Sequence, residues 1–107
     1  MSKIEQEIAK WEEQKNLRLS HGDKLEVPRE VEHFASFTSK SNAHTAGEKL
    51  VANGFQVFSA KRGLFGIDIK AVRSDSMTSY EDVISLVLGI VQEYGGKYDG
   101  FGAEIVE

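Results

Sequence analysis

The chain has 107 residues, enough for one domain with its own apolar core and no need of metal or disulfide staples. It contains no cysteine, which excludes a disulfide framework and thiol chemistry. Acidic residues outnumber basic ones 17 to 13, for a net charge of −4. That balance argues against affinity built on nucleic-acid phosphates and favours proteins, cationic surfaces or small molecules as partners. The N-terminus, MSKIEQEIAKWEEQK, is charged throughout and lacks the apolar centre of a signal peptide. No stretch approaches the roughly 20 apolar residues of a membrane span.

Residues 2 to about 19 are rich in Glu, Lys, Gln and Ala, which predicts a helix. Ile4, Ile8 and Trp11 form a narrow apolar stripe on this charged rod. Residues 20–29 read as a linker, with Gly22 and Asp23 as breakers and Pro28 near its end. The domain plan is therefore a helical arm and linker over 1–29 and a folded unit over 30–107.

A first strand is expected over 31–38, with Val31, His33, Ala35 and Phe37 on one face and Phe34 among those on the other. A helix capped by Ser39 or Ser41 follows, with Ala43, Ala46, Gly47, Leu50 and Val51 at helical spacing, ending at Asn53-Gly54. Residues 55–61 and 65–72 read as a hairpin turning at Arg62-Gly63, the second strand placing Phe65, Ile67, Ile69 and Ala71 inward. Residues 73–77 read as a polar loop. Thr78 and Glu81 match a capping box, and Val83, Leu86, Val87, Ile90, Val91 and Tyr94 form the strongest helical stripe in the chain. Gly95-Gly96 stops that helix, and a last strand over 98–106 places Phe101, Ala103 and Ile105 inward.

The order β-α-β-β-α-β is that of the ferredoxin-like fold. It predicts an α+β domain: a four-stranded antiparallel sheet, its first and third strands central, two helices on one face and an extra N-terminal helix. The other sheet face needs a cover, and the N-terminal helix is the nearest candidate. A partner protein, or a second copy reached through the open face or the N-terminal helix, is the alternative.

No catalytic constellation emerges. His21, His33 and His44 have no further ligand at a metal spacing, so no metal and no cofactor is expected. No serine sits in a nucleophile elbow. The glycines at 63–66, 95–96 and 100–102 do not precede a helix as a phosphate cradle would. A base-stacking platform on the two central strands would consist of Phe34 alone, facing Asp68, so direct nucleic-acid readout is not expected. A non-catalytic binding role remains.

The segment Glu93-Tyr94-Gly95-Gly96-Lys97-Tyr98-Asp99-Gly100-Phe101-Gly102 resembles the family of regulators of ribonuclease E activity B (RraB). Val31-Glu32-His33-Phe34 is similar to the family's first strand, and residues 48–57 to its helix-to-strand passage. Phe101 stands where the family often carries tryptophan, and the strongly acidic C-terminal tail of the ribonuclease regulators has no counterpart up to Glu107. The resemblance implies a ferredoxin-like fold, a cytoplasmic setting and inhibition of ribonuclease E by direct protein contact, with Tyr98, Asp99, Gly100 and Phe34 as candidate contact residues. Glu12, Glu13, Glu30, Glu32, Glu81, Asp82 and Glu93 are the acids available to a basic partner. Asp99-Gly100 also has a structural role open to it, a bulge that bends the edge strand. The alternative function is a small-ligand-binding regulatory domain on the same scaffold.

Overall fold

The computed structural model describes residues 2–107. Its elements in chain order are α1 (Lys3–Ser20), β1 (Arg29–Phe37), α2 (Lys40–Ala52), β2 (Gln56–Arg62), β3 (Gly66–Asp75), α3 (Tyr80–Glu93) and β4 (Lys97–Ala103). The strands form one antiparallel sheet in the order β2-β3-β1-β4. This is the expected ferredoxin-like arrangement, with β1 and β3 central and a helix preceding it.

Local chemistry explains most helix ends. Ser2 caps α1 by accepting the Glu5 amide, and Ser39 caps α2 by accepting the Asn42 amide. Gly54 and Gly95 follow their helices at φ +89° and +73°, a left-handed conformation that side chains resist. The capping box expected at the start of α3 is not formed. Ser79 occupies the N-cap without a side-chain bond, while the Glu81 carboxylate accepts the Trp11 indole N–H at 3.2 Å. The tertiary partner outcompetes the local one.

Three further expectations change. Phe65 is 79% exposed, because the hairpin turn runs through it and the strand begins only at Gly66. β3 continues through Arg73 to Asp75, where a polar loop was expected, because the N-terminal residues of β1 pair with it; Arg29 stands opposite Asp75. β4 ends at Ala103 and Ile105 is exposed. Beyond Ala103 the chain is drawn off the sheet edge: the Lys24 amide donates to the Val106 carbonyl at 2.6 Å, and the Val106 amide donates to Asp23.

The N-terminal helix does not cover the open sheet face. Trp11 is 1% exposed and packs edge-on against Tyr80 of α3 and Phe101 of β4. Phe101 pairs with His33, and both belong to the face already covered by α2 and α3. α1 thus joins the helical layer beside α3. It completes a second core of Trp11, Leu25, Val31, Met77, Tyr80 and Ile84 next to the main one around Phe37, Leu50, Ile69, Leu88 and Val91. This explains why Tyr80, Ile84 and Leu88 are fully buried outside the stripe read from sequence. α3 is covered by the sheet on one side and by α1 on another, so a wider arc of it is apolar.

The supposed linker is also built in. Asp23 is a buried carboxylate bonded by Arg29 at 2.6 and 2.8 Å and by Arg18 at 3.2 Å. The same guanidinium groups donate to the carbonyls of Ala103 and Glu104. Burial alone would raise the Asp23 carboxyl, but hydrogen bonds from Arg29, Val106 and Arg18 hold it below its ordinary value.

Candidate functional site

The expected bulge lies in β4. Phe34 of β1 stands opposite Gly100, but the next residue, Ala35, stands opposite Tyr98, so the register shifts by one at Asp99-Gly100. Gly100 has φ +118°, a conformation that disfavours any side chain. The extra residue has a geometric consequence. Tyr98 and Phe101 are three apart, and strict alternation would send them to opposite faces. With the bulge, both turn inward and both rings approach His33, at centroid distances of 6.1 and 6.2 Å.

His33 holds this arrangement together. Its Nδ1 lies 2.9 Å from the Tyr98 hydroxyl and its Nε2 lies 3.0 Å from the Tyr80 hydroxyl. All three side chains are almost fully buried. Burial, and secondarily the charge of Arg73, lowers the His33 pKa from 6.5 to about 4, so the ring is neutral at pH 7. A neutral ring has one N–H and one bare nitrogen. One tyrosine therefore donates into the ring and the other accepts from it. Burial pushes both phenols above their ordinary value of 10. The triad has no opening to solvent and serves as a clamp joining β1, α3 and β4.

Directly across the sheet from this clamp is the uncovered face. Register places Phe58, Lys70, Phe34 and Gly100 in one row across all four strands. Phe34 and Phe58 are 40% and 47% exposed. The Lys70 ammonium sits 5.0 Å from the Phe58 ring centre and pairs with Glu32 at 3.3 Å. Arg62 pairs with Asp68 at 3.4 Å. Asp99 lies at the end of this face, exposed, with Lys97 4.0 Å away. Of the four candidate contact residues, Phe34, Asp99 and Gly100 meet at the surface, and Tyr98 lies beneath it, holding the bulge through His33. Phe58 is an addition: the alternation Val57-Phe58-Ser59 carries its signal, but it stands on edge strand β2, outside a platform confined to the two central strands.

The acids are dispersed. Glu81 is bonded to Trp11, Glu93 to Lys49 and Glu32 to Lys70. Glu12, Glu13 and Glu30 are exposed. Among the described residues no three metal-ligating side chains cluster, and no helix is long and apolar enough to cross a membrane. A groove of about 460 Å³ runs between α2 and the β2–β3 hairpin, floored by Val57, Ile67 and Ile69 and walled by Ala43, Gly47 and Val51.

Fold and site together define a ferredoxin-like α+β domain that keeps one sheet face bare and clamps its edge strand from below. The chain belongs to the RraB family, described as regulator of ribonuclease activity B, which it matches over residues 12–103. The match spans Trp11's neighbour Glu12 to the end of β4, so it includes the C-terminal half of α1 as well as the sheet. No curated protein matches the chain.

Proposed function

We propose that this protein is a non-catalytic regulator that inhibits ribonuclease E by direct protein contact in the cytoplasm. The contact surface is the open sheet face, with Phe34, Phe58, Asp99 and Gly100 meeting the partner and Tyr98 holding the bulge from below. One observation supports this reading above others: α1 docks on the helical side and leaves two aromatic rings exposed in one row of the bare face. Exposed aromatics flanked by charges are the composition of a protein-contact centre. The paired charges around them leave no basic surplus for a phosphate backbone.

The test is titration of the purified chain into ribonuclease E, followed by calorimetry and by cleavage of a model RNA. Binding and slower cleavage are expected. Phe34→Asp with Phe58→Asp should weaken binding by roughly thirtyfold, the loss of a contact centre of about 2 kcal/mol. Circular dichroism should be unchanged, since both rings lie at the surface. Full inhibition by this double variant would rule out the open face. Absence of any binding would rule out the ribonuclease as target.

A further inference from the structure

We infer that two copies of this chain pair through the free edge of β2, forming a two-fold dimer with one continuous eight-stranded sheet. β2 is one of the sheet's two edge strands, and among the described residues its backbone makes no hydrogen bond outside the β3 ladder. Edge strands are usually guarded by charge, proline or a bulge. Here residues 56–60 carry no charge and no proline, and the β2–β3 register is unbroken. Only the last two residues, Lys61 and Arg62, are charged.

The flanks of the strand are complementary to each other. At the C-terminal end of β2 the hairpin tip projects two apolar side chains, Leu64 and Phe65, 87% and 79% exposed. At the N-terminal end lies the apolar groove against α2, whose wall residue Val51 is 58% exposed. A two-fold contact requires a patch that complements itself when turned end for end. Antiparallel pairing of β2 with its copy, about an axis near Ser59, does this. It brings the Leu64–Phe65 tip of each copy to the Val51 end of the other's groove.

Charge agrees. Val57 and Ser59 line the groove, so alternation puts Lys61 on that same side. Lys61 has no ion-pair partner among the described residues. In the pair it stands opposite the other copy's Val57, beside the groove rim formed by Glu48. Among the described residues Glu48 pairs with the exposed His44, 3.3 Å away, and with no lysine or arginine. The Lys61 and Arg62 ends of the two strands lie apart, so they do not repel. The open sheet face stays free, and the dimer doubles it.

Sedimentation equilibrium of the full chain, from low concentration to roughly 1 mM, tests this. A concentration-dependent rise to the dimer mass is expected. Leu64→Asp with Phe65→Asp, at exposed positions, should remove the dimer while leaving the circular dichroism and melting of the monomer unchanged. Lys61→Glu should raise the dissociation constant about three- to tenfold through two exposed ion pairs, and Lys61→Glu with Glu48→Lys should restore it. A chain that stays monomeric throughout overturns the inference, including when its groove takes up a small molecule or a strand of another protein. So does a dimer indifferent to the Leu64 and Phe65 substitutions.

Discussion

The Tyr98 hydroxyl lies 2.9 Å from His33 Nδ1, and this bond spans the sheet between β1 and a bulged edge strand. Tyr98→Phe removes one partner and leaves a buried ring nitrogen unsatisfied. Such a loss costs about 1–3 kcal/mol. Urea denaturation of the single variants Tyr98→Phe and Tyr80→Phe and of the double variant should show non-additive costs, because both hydroxyls share one imidazole. Strict additivity would mean that the three groups do not act as a unit.

The same histidine makes stability depend on pH. Its folded pKa is about 4, against 6.5 when unfolded. Between these values the unfolded chain binds a proton that the folded chain refuses, so stability falls as pH drops from about 6.5 and the loss levels off near 4. The full span corresponds to roughly 3 kcal/mol. Asp23 acts lower down. Its folded pKa is depressed, so its contribution is present above the ordinary carboxylate range and is lost as pH falls further. Chemical denaturation at pH 7, 5 and 4 should show the histidine step, and His33→Gln should flatten it.

Gly100→Ala tests the bulge. Open space surrounds a Cβ there, so any cost comes from the backbone at φ +118°. That strain should destabilise the protein by about 1–3 kcal/mol. If β4 relaxes to regular alternation instead, Tyr98 or Phe101 must leave the core, and amide exchange in β4 should rise. An unchanged melting temperature with unchanged exchange would show that the bulge needs no glycine.

Asp23→Ala should be among the most damaging substitutions outside the apolar core. It leaves the buried guanidinium groups of Arg18 and Arg29 without their shared carboxylate. Breaking a buried ion pair from one side costs about 3–5 kcal/mol. The C-terminal segment should be released as well, since Val106 bonds to Asp23 directly. Thermal melting and exchange at residues 104–106 measure both effects.

Trp11→Ala should cost about 3–5 kcal/mol, the range for truncating a buried aromatic. It also frees Glu81 from the indole bond, so a capping bond at the start of α3 becomes available and offsets a small part of the loss. Equilibrium unfolding gives the size, and unfolding of α1 alone would show as lost helical signal before the main transition.

Much of this molecule is written in short-range patterns. The strand and helix order, the Asn53-Gly54 and Gly95-Gly96 stops and the Asp99-Gly100 bulge all depend on neighbours within a few residues, where period and turn chemistry act directly. The inward set Val31, His33, Ala35 and Phe37 follows from alternation alone. Phe65 shows the limit of the same rule: alternation says which residues share a face but not where the turn stops and the strand begins.

Longer-range choices belong to the tertiary structure. The stripe Ile4, Ile8, Trp11 states that the first helix must cover something, but both sheet faces could satisfy it. The choice is made by Tyr80 and Glu81, about 70 residues away, which receive the indole by edge contact and hydrogen bond. His33 likewise reads as an ordinary strand residue until its partners 47 and 65 residues on are brought to its two nitrogens. Asp23 looks like a turn-former and becomes the carboxylate shared by two buried arginines. Sequence by itself determined the ferredoxin-like framework and the bent edge strand, because those arise from local periodicity. Only the folded structure decided which sheet face stays bare, because that rests on contacts between residues far apart along the chain.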